Sequence, residues 1–198
     1  AALAVDSLFA MAASFAWSAS QAAGKAVPIG WLERLDSLAA RAPDRERLLI
    51  RAKVAGVLND PAYFAFAETL ATRYPAEPDG HLMVADARLL AGDFLAALPH
   101  LERVIAADSL GLRGIRGRCR GCEAFAGAAS AYTFADSFQA AERVTREWIR
   151  IQPAAREAWR WLGVVLAGQV SVGRRELAAA GIDAAYSIAE HLGGASRA

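Results

Sequence analysis

The sequence predicts an all-α protein made of stacked antiparallel helix pairs, and three observations lead to this prediction. Ala, Leu, Arg and Glu, which favour helix, dominate the 198 residues. No stretch shows the sustained alternation of apolar and polar residues that indicates a strand. Short blocks with helical apolar spacing alternate with Pro, Gly and Asn, which begin or end helices.

Four helices are predicted in the first half of the chain, over residues 7–21, 29–41, 45–58 and 62–74. The second of these carries Leu32, Leu35 and Leu38 at three-residue steps, as expected for one buried face of a helix. The breaks between the blocks contain residues that rarely continue a helix, namely Gly24, Pro43, Pro61 and Pro75.

The second half repeats this rhythm, with helices predicted over residues 80–91, 94–107, 122–135, 138–151 and 155–167. The turn Gly92-Asp93 separates the first two, and Pro153 follows the fourth. The pattern weakens after Val170, where glycines interrupt a last helix predicted over residues 182–191.

The ends of the blocks recur at a regular spacing. Ser109 follows Pro75 by 34 residues, and Pro153 follows Ser109 by 44, so the period is 34 with one excess of ten residues at 111–120. A single helix pair cannot bury its apolar face alone, and stacking against neighbouring pairs supplies the missing contacts. The sequence therefore predicts a helical-repeat array.

At this period the chain resembles the tetratricopeptide repeat (TPR) family, whose unit is 34 residues. Trp159, Leu162 and Gly163 match the family's Trp-x-x-Leu-Gly signature. The resemblance implies a right-handed TPR-like α-solenoid over residues 1–169, with its best units at 78–111, 122–155 and 156–169 (partial). Residues 170–198 are expected to form a capping helix or a tail. The sequence style is also similar to repeat segments attached to bacterial kinases and regulators.

Small side chains stand where the two helices of a unit must approach closely, at Ala85, Ala129 and Gly163. The segment 44–77 departs from this pattern in two places. Arg51 replaces the small residue of its first helix, and Tyr63 replaces that of its second.

The resemblance implies that the first helix of each unit lines an inner groove that binds a protein or peptide. The expected groove residues are Asp79, Leu82, Asp86, Leu89, Leu90, Glu123, Ser130, Thr133, Arg160 and Val164. This set is acidic and apolar and lacks the Lys and Asn residues with which some relatives hold a C-terminal carboxylate. A mildly basic amphipathic peptide is the expected partner. The alternative is that these residues only contact the neighbouring repeat.

Charge and motifs indicate a non-catalytic protein without a cofactor. The formal net charge of +1 argues against nucleic-acid binding through the overall field. The sequence contains no phosphate-binding loop, nucleophile elbow or His-Glu-x-x-His zinc motif. We therefore expect a scaffold rather than an enzyme.

Cys119 and Cys122 form the one motif that could carry chemistry, and three interpretations stay open. The cysteines could be packing residues, a local disulfide, or a redox or metal-binding thiol pair activated by nearby arginines. An all-α enzyme or cofactor-binding domain built on this pair is the alternative function. The basic run of Arg113, Arg116, Arg118 and Arg120 is expected to be a solvated loop.

The uncharged stretch from Ser7 to Gly24 raises the question of a membrane span. Serines and small alanines dilute it, so a buried amphipathic helix is expected instead, and a subunit of a membrane-associated complex is a further alternative. The chain begins at Ala1 without Met, which suggests a fragment or a processed chain. A cytoplasmic location is expected, with the periplasm as the alternative.

Overall fold

The computed structural model describes residues 9–25, 29–115, 118–171 and 175–195, and within these ranges every regular element is a helix. The prediction of an all-α fold is confirmed. The helices are α1 (Ala10–Ala22), α2 (Ile29–Ala39), α3 (Asp44–Val57), α4 (Ala62–Arg73), α5 (Pro78–Leu90), α6 (Phe94–Ala107), α7 (Ser109–Leu112), α8 (Arg120–Phe134), α9 (Phe138–Ile151), α10 (Arg156–Ser171) and α11 (Arg175–Ala195).

The chain divides into two compact units, Ala1–Met83 and Val84–Ala198, and the division falls within α5. In the first unit α2 packs on α3 and α3 packs on α4, around the fully buried Leu35, Ile50 and Leu70. Asp44 ties the start of α3 to the end of α4. Its carboxylate accepts hydrogen bonds from Arg73 Nη1 at 3.1 Å and from the Tyr74 hydroxyl at 3.0 Å.

The second unit has the packing order of a helical repeat. Helix α6 packs on α8, α8 on α9, α9 on α10 and α10 on α11, while α8 also touches α10. Ala97 and Ala141, which lie 44 residues apart, are fully buried in the second helices of their pairs. Side chains of this size allow the close helix approach that the repeat requires.

Helix α11 is longer than the sequence predicted, since it runs through Arg175–Ala195 instead of residues 182–191. Gly181 lies inside it, because a glycine costs a helix only about 1 kcal/mol and the contacts with α10 outweigh that cost. Gly163 of α10 faces the Tyr186 ring, and a Cβ at Gly163 would stand only 2.8 Å from Tyr186 Cζ. The small residue of this unit therefore makes room for an aromatic ring of α11.

The ten-residue excess begins with the short helix α7, which the sequence did not predict. Buried Asp108 organises it, accepting hydrogen bonds from the backbone N–H of Gly111 at 3.3 Å and of Gly121 at 2.9 Å. Gln152 Nε2 donates to the Leu112 carbonyl at 2.7 Å. Both ends of the excess segment are thus fixed to the repeat. Arg116 of the predicted basic run lies outside the described residues.

Candidate functional site

An acidic pair marks the predicted groove in the second unit. Asp86 lies on α5 and Glu123 lies in the first turn of α8, and the two carboxylates are close enough to repel each other. Arg118 forms a two-point ion pair with Glu123, with Nε and Nη2 at 2.8 and 2.9 Å from the two carboxylate oxygens. Asp86 forms no ion pair with the described residues, so its negative charge is not directly paired.

The environment of Asp86 is unusual for a carboxylate. The pKa of Asp86 is raised to about 6, mainly by burial and also by the negative charge of Glu123, while the positive charge of Arg118 acts in the opposite direction. More than a third of the residue is nevertheless exposed. The Asp86 carboxylate is therefore reached by solvent but also partly surrounded by protein.

Replacing Asp86 by Asn is expected to stabilise the protein at neutral pH. Because the pKa of Asp86 is about 6 in the folded state and 3.8 ordinarily, the folded chain keeps this proton where the unfolded chain has lost it. The stability that this proton contributes is present at low pH and is lost as the pH rises from about 4 to about 6. Since Asp86 is partly exposed, solvent screening limits the effect to about 1 kcal/mol.

Urea unfolding of both proteins at about pH 3 and about pH 7 measures this difference. We expect equal stability at the lower pH and a more stable Asp86→Asn variant at the higher one. A difference of the same size at both pH values would contradict the assigned environment.

The same helices expose apolar side chains. Leu90 at the end of α5 is 86% exposed, and Phe134 at the end of α8 is 66% exposed. The Phe134 ring stacks on Phe94 with 5.3 Å between ring centroids, while Val164 of α10 is also exposed. Exposed aromatic and aliphatic side chains are typical of surfaces that bind a partner.

The other predicted groove residues differ in how exposed they are. Asp79 and Leu82 are buried in the first unit and offer a partner little surface. Leu89, Ser130 and Thr133 are half-buried. The Thr133 hydroxyl donates to the Ala129 carbonyl in the preceding turn at 2.7 Å. Arg160 is exposed and pairs with Glu157 at 3.0 Å.

Sequence reasoning missed two residues of this surface. Phe134 follows Leu90 by 44 residues, the spacing of the last two block ends, so the register could have identified it. Arg118 precedes α8 and belongs to the basic run that the sequence predicts to be a solvated loop. Only the fold shows that it pairs with Glu123, the neighbour of Asp86.

Comparison with solved structures supports the helical-repeat assignment. "Crystal structure of MamA" matches with a TM-score of 0.66 and 13% identity, over 85% of this chain and 92% of that one. "MamA RS-1 ArsTM double mutant" matches with a TM-score of 0.64 and 15% identity, over 94% and 96%. "Crystal structure of MamA protein" matches with a TM-score of 0.61 and 18% identity, over 82% and 81%. The fold is a TPR-like α-solenoid.

Identities this low establish the fold alone. No family model matches the chain. No protein of curated function matches it either.

Cys119 and Cys122 are joined by a disulfide at the start of α8. Cys119 precedes the helix, and its Sγ accepts from the Cys122 backbone N–H at 3.1 Å. Cys122 Sγ lies 3.0 Å from Gln152 Oε1, a contact without a hydrogen bond because a disulfide sulfur carries no proton. Within the described ranges, no three His, Cys, Asp or Glu side chains cluster in a way that could hold a metal ion.

Helix α1 covers most of the uncharged stretch near the start of the chain. None of the helices in the described part of the chain combines the length and the apolar character needed to cross a membrane. Ser7 of the predicted helix lies outside the described residues.

Proposed function

We propose that this protein is a non-catalytic helical-repeat scaffold that binds another protein through the groove surface of its second unit. The observation that carries the proposal is the Asp86 carboxylate, which lies near Glu123 and forms no ion pair with the described residues. A positive charge from a partner would relieve the repulsion between these two carboxylates. If the Asp86 carboxylate had only a structural role, we would instead expect it to pair with a positive group within the chain.

The partner's expected chemistry follows from the neighbouring side chains. Leu90, Phe134 and Val164 offer exposed apolar side chains on α5, α8 and α10. A mildly basic amphipathic segment places apolar residues and Lys or Arg on adjacent faces, which suits such a surface. Binding by this route needs no chemical step, in agreement with the lack of catalytic motifs in the sequence.

The TPR-like fold supports the scaffold assignment, since stacked helix pairs present extended concave surfaces for binding. A relationship to kinase- or regulator-associated repeat proteins of bacteria rests on sequence style and remains a proposal, as does a cytoplasmic location.

Charge reversal tests the proposal directly. We expect the double variant Asp86→Lys/Glu123→Lys to lose its partner, because the partner's basic residues would face two lysines instead of two carboxylates. The measurement is quantitative affinity capture from the native source with the unaltered chain and with the variant. The partner's yield should fall by at least about tenfold, which corresponds to about 1.4 kcal/mol of binding free energy.

The matched control is Asp183→Lys/Glu190→Lys, which makes the same charge change at two exposed positions of α11. This control should capture the partner as the unaltered chain does, and circular dichroism should show equal helix content in all three proteins. Capture of the same proteins in equal amounts by the groove variant would refute the proposed surface.

A further inference from the structure

A cleft of about 670 Å³ lies in the first unit, bounded by α2, α3 and the start of α4. It is in the size range of pockets that receive a ligand or several side chains of a partner. None of the groove residues predicted from the sequence lines the cleft, and Asp86 and Glu123, which carry the proposed function, belong to the second unit.

Arg51 lines the cleft at a position where two other helices have a small residue. It is the eighth residue of α3, and the eighth residues of α5 and α10 are Ala85 and Gly163. The Arg51 side chain extends toward α2, where its Nε lies 3.3 Å from Asp36 Oδ1. Where α5 and α10 have a small residue, α3 therefore has a long side chain that reaches the neighbouring helix α2.

The floor of the cleft is apolar. Leu32 of α2 and Val54 of α3 are nearly buried beneath it, and Phe66 of α4 contributes to its wall. Leu58, which follows α3, is 57% exposed at the edge. Apolar surface left open in this way favours an occupant that covers it with apolar side chains.

The rim of the cleft carries more negative than positive charge. Three carboxylates, Glu33, Asp36 and Asp60, line it together with one guanidinium, that of Arg51. Glu33 and Asp60 are exposed, and Asp60 Oδ1 caps the start of α4 by accepting from the Ala62 N–H at 2.8 Å. Arg51 Nε is buried and forms no hydrogen bond with the described residues despite its contact with Asp36.

We propose that this cleft is a second docking site, which receives an amphipathic basic helix of a partner protein. The helix would place apolar side chains on Leu32, Val54 and Phe66 and a Lys or Arg near Glu33 and Asp36. Charge complementarity decides for a basic occupant, because the rim has three negative groups against one positive group. The site is independent of the groove surface, and neither proposal requires the other.

The test uses two synthetic peptides of about four helical turns (roughly 14 residues). One is built of Leu and Lys with all Leu on one face, and the other has Glu in place of every Lys. Binding is measured as slower hydrogen exchange of the backbone amides of α2, α3 and α4. We expect the Leu/Lys peptide to protect these amides and the Leu/Glu peptide to leave them unchanged.

Two variants examine the contacts separately. Glu33→Lys/Asp36→Lys reverses charge at the rim, and Leu58→Asp places a charge at the apolar edge. For each variant, at least about tenfold more peptide should be needed to give the same protection. Glu33→Gln/Asp36→Asn is the milder second variant in case the reversal disturbs folding, and it should weaken protection in the same direction. The groove variant Asp86→Lys/Glu123→Lys should retain protection in the first unit.

Three results would overturn the proposal. They are the absence of protection in α2–α4, equal protection by both peptides, and protection unaffected by all three cleft variants. Protection confined to α5 and α8 would also overturn it while supporting the groove. Unchanged partner capture by Asp86→Lys/Glu123→Lys, together with the expected protection in the first unit, would count against the groove alone.

Discussion

Replacing Trp148 by Ala is expected to lower the free energy of unfolding by about 4 kcal/mol. Trp148 is 2% exposed and stacks on Phe125, with 5.9 Å between ring centroids and 9° between ring planes. Its indole N–H donates to Gln152 Oε1 at 3.0 Å. The substitution removes a large buried ring, leaves a cavity between α8 and α9, and takes away a donor that orients Gln152.

Urea unfolding, followed through hydrogen exchange of the α8 and α9 amides, measures this loss within the second unit. Trp148→Phe is the matched control, since it keeps a stacked ring and removes only the indole N–H and some volume. We expect the free energy of unfolding of this control to fall by about 1.5 kcal/mol. If both variants were equally stable, the stacked ring would not be the main source of the stabilisation.

Replacing Asp108 by Ala is expected to lower the free energy of unfolding by about 3 kcal/mol, which is the second large effect. The Asp108 carboxylate is buried and accepts from the backbone N–H groups of Gly111 and Gly121, so its removal leaves two buried donors without acceptors. A Cβ on Gly111 would collide with the same carboxylate, which explains a glycine at this position. The loss should concentrate where α8 begins.

Hydrogen exchange of the Gly111 and Gly121 amides, combined with urea unfolding, follows this change. Asp108→Asn keeps one acceptor oxygen and should lose about half as much stability. Asp183→Ala, at an exposed position of α11, should change stability by less than about 0.5 kcal/mol. Undiminished protection of the Gly121 amide in Asp108→Ala would show that another group caps α8.

Helix boundaries at Gly and Pro residues could be predicted from the sequence because they depend on local chemistry, unlike the start of α11 and the short α7. Gly92 adopts a φ of +78° at the turn between α5 and α6, where only glycine is unstrained, and the chain turns where the sequence indicated. Pro75 and Pro153 likewise follow the ends of α4 and α9. The periodic spacing of these breaks then predicted the repeat.

Contacts between residues distant in sequence could not be predicted in the same way. Asp108 binds the N–H of a residue 13 positions later, and Gln152 binds a carbonyl 40 positions earlier. No local pattern encodes such pairs. The unpaired state of Asp86 also depends on which helices lie beside it, because its charge could have been neutralised by any nearby arginine. The sequence does not predict the cleft that Arg51 lines. It shows only that Arg51 replaces a small residue of the repeat pattern.

The bridge between Cys119 and Cys122 closes a very small ring, since the two residues are three positions apart. Closing a ring of this size removes roughly 2 kcal/mol of unfolded-chain entropy, against about 4.7 kcal/mol for a loop of 100 residues. Asp108 and Gln152 anchor the same segment without help from sulfur. Reduction of the disulfide in a thiol-rich milieu should therefore lower stability by no more than roughly 2 kcal/mol and leave this segment anchored by Asp108 and Gln152.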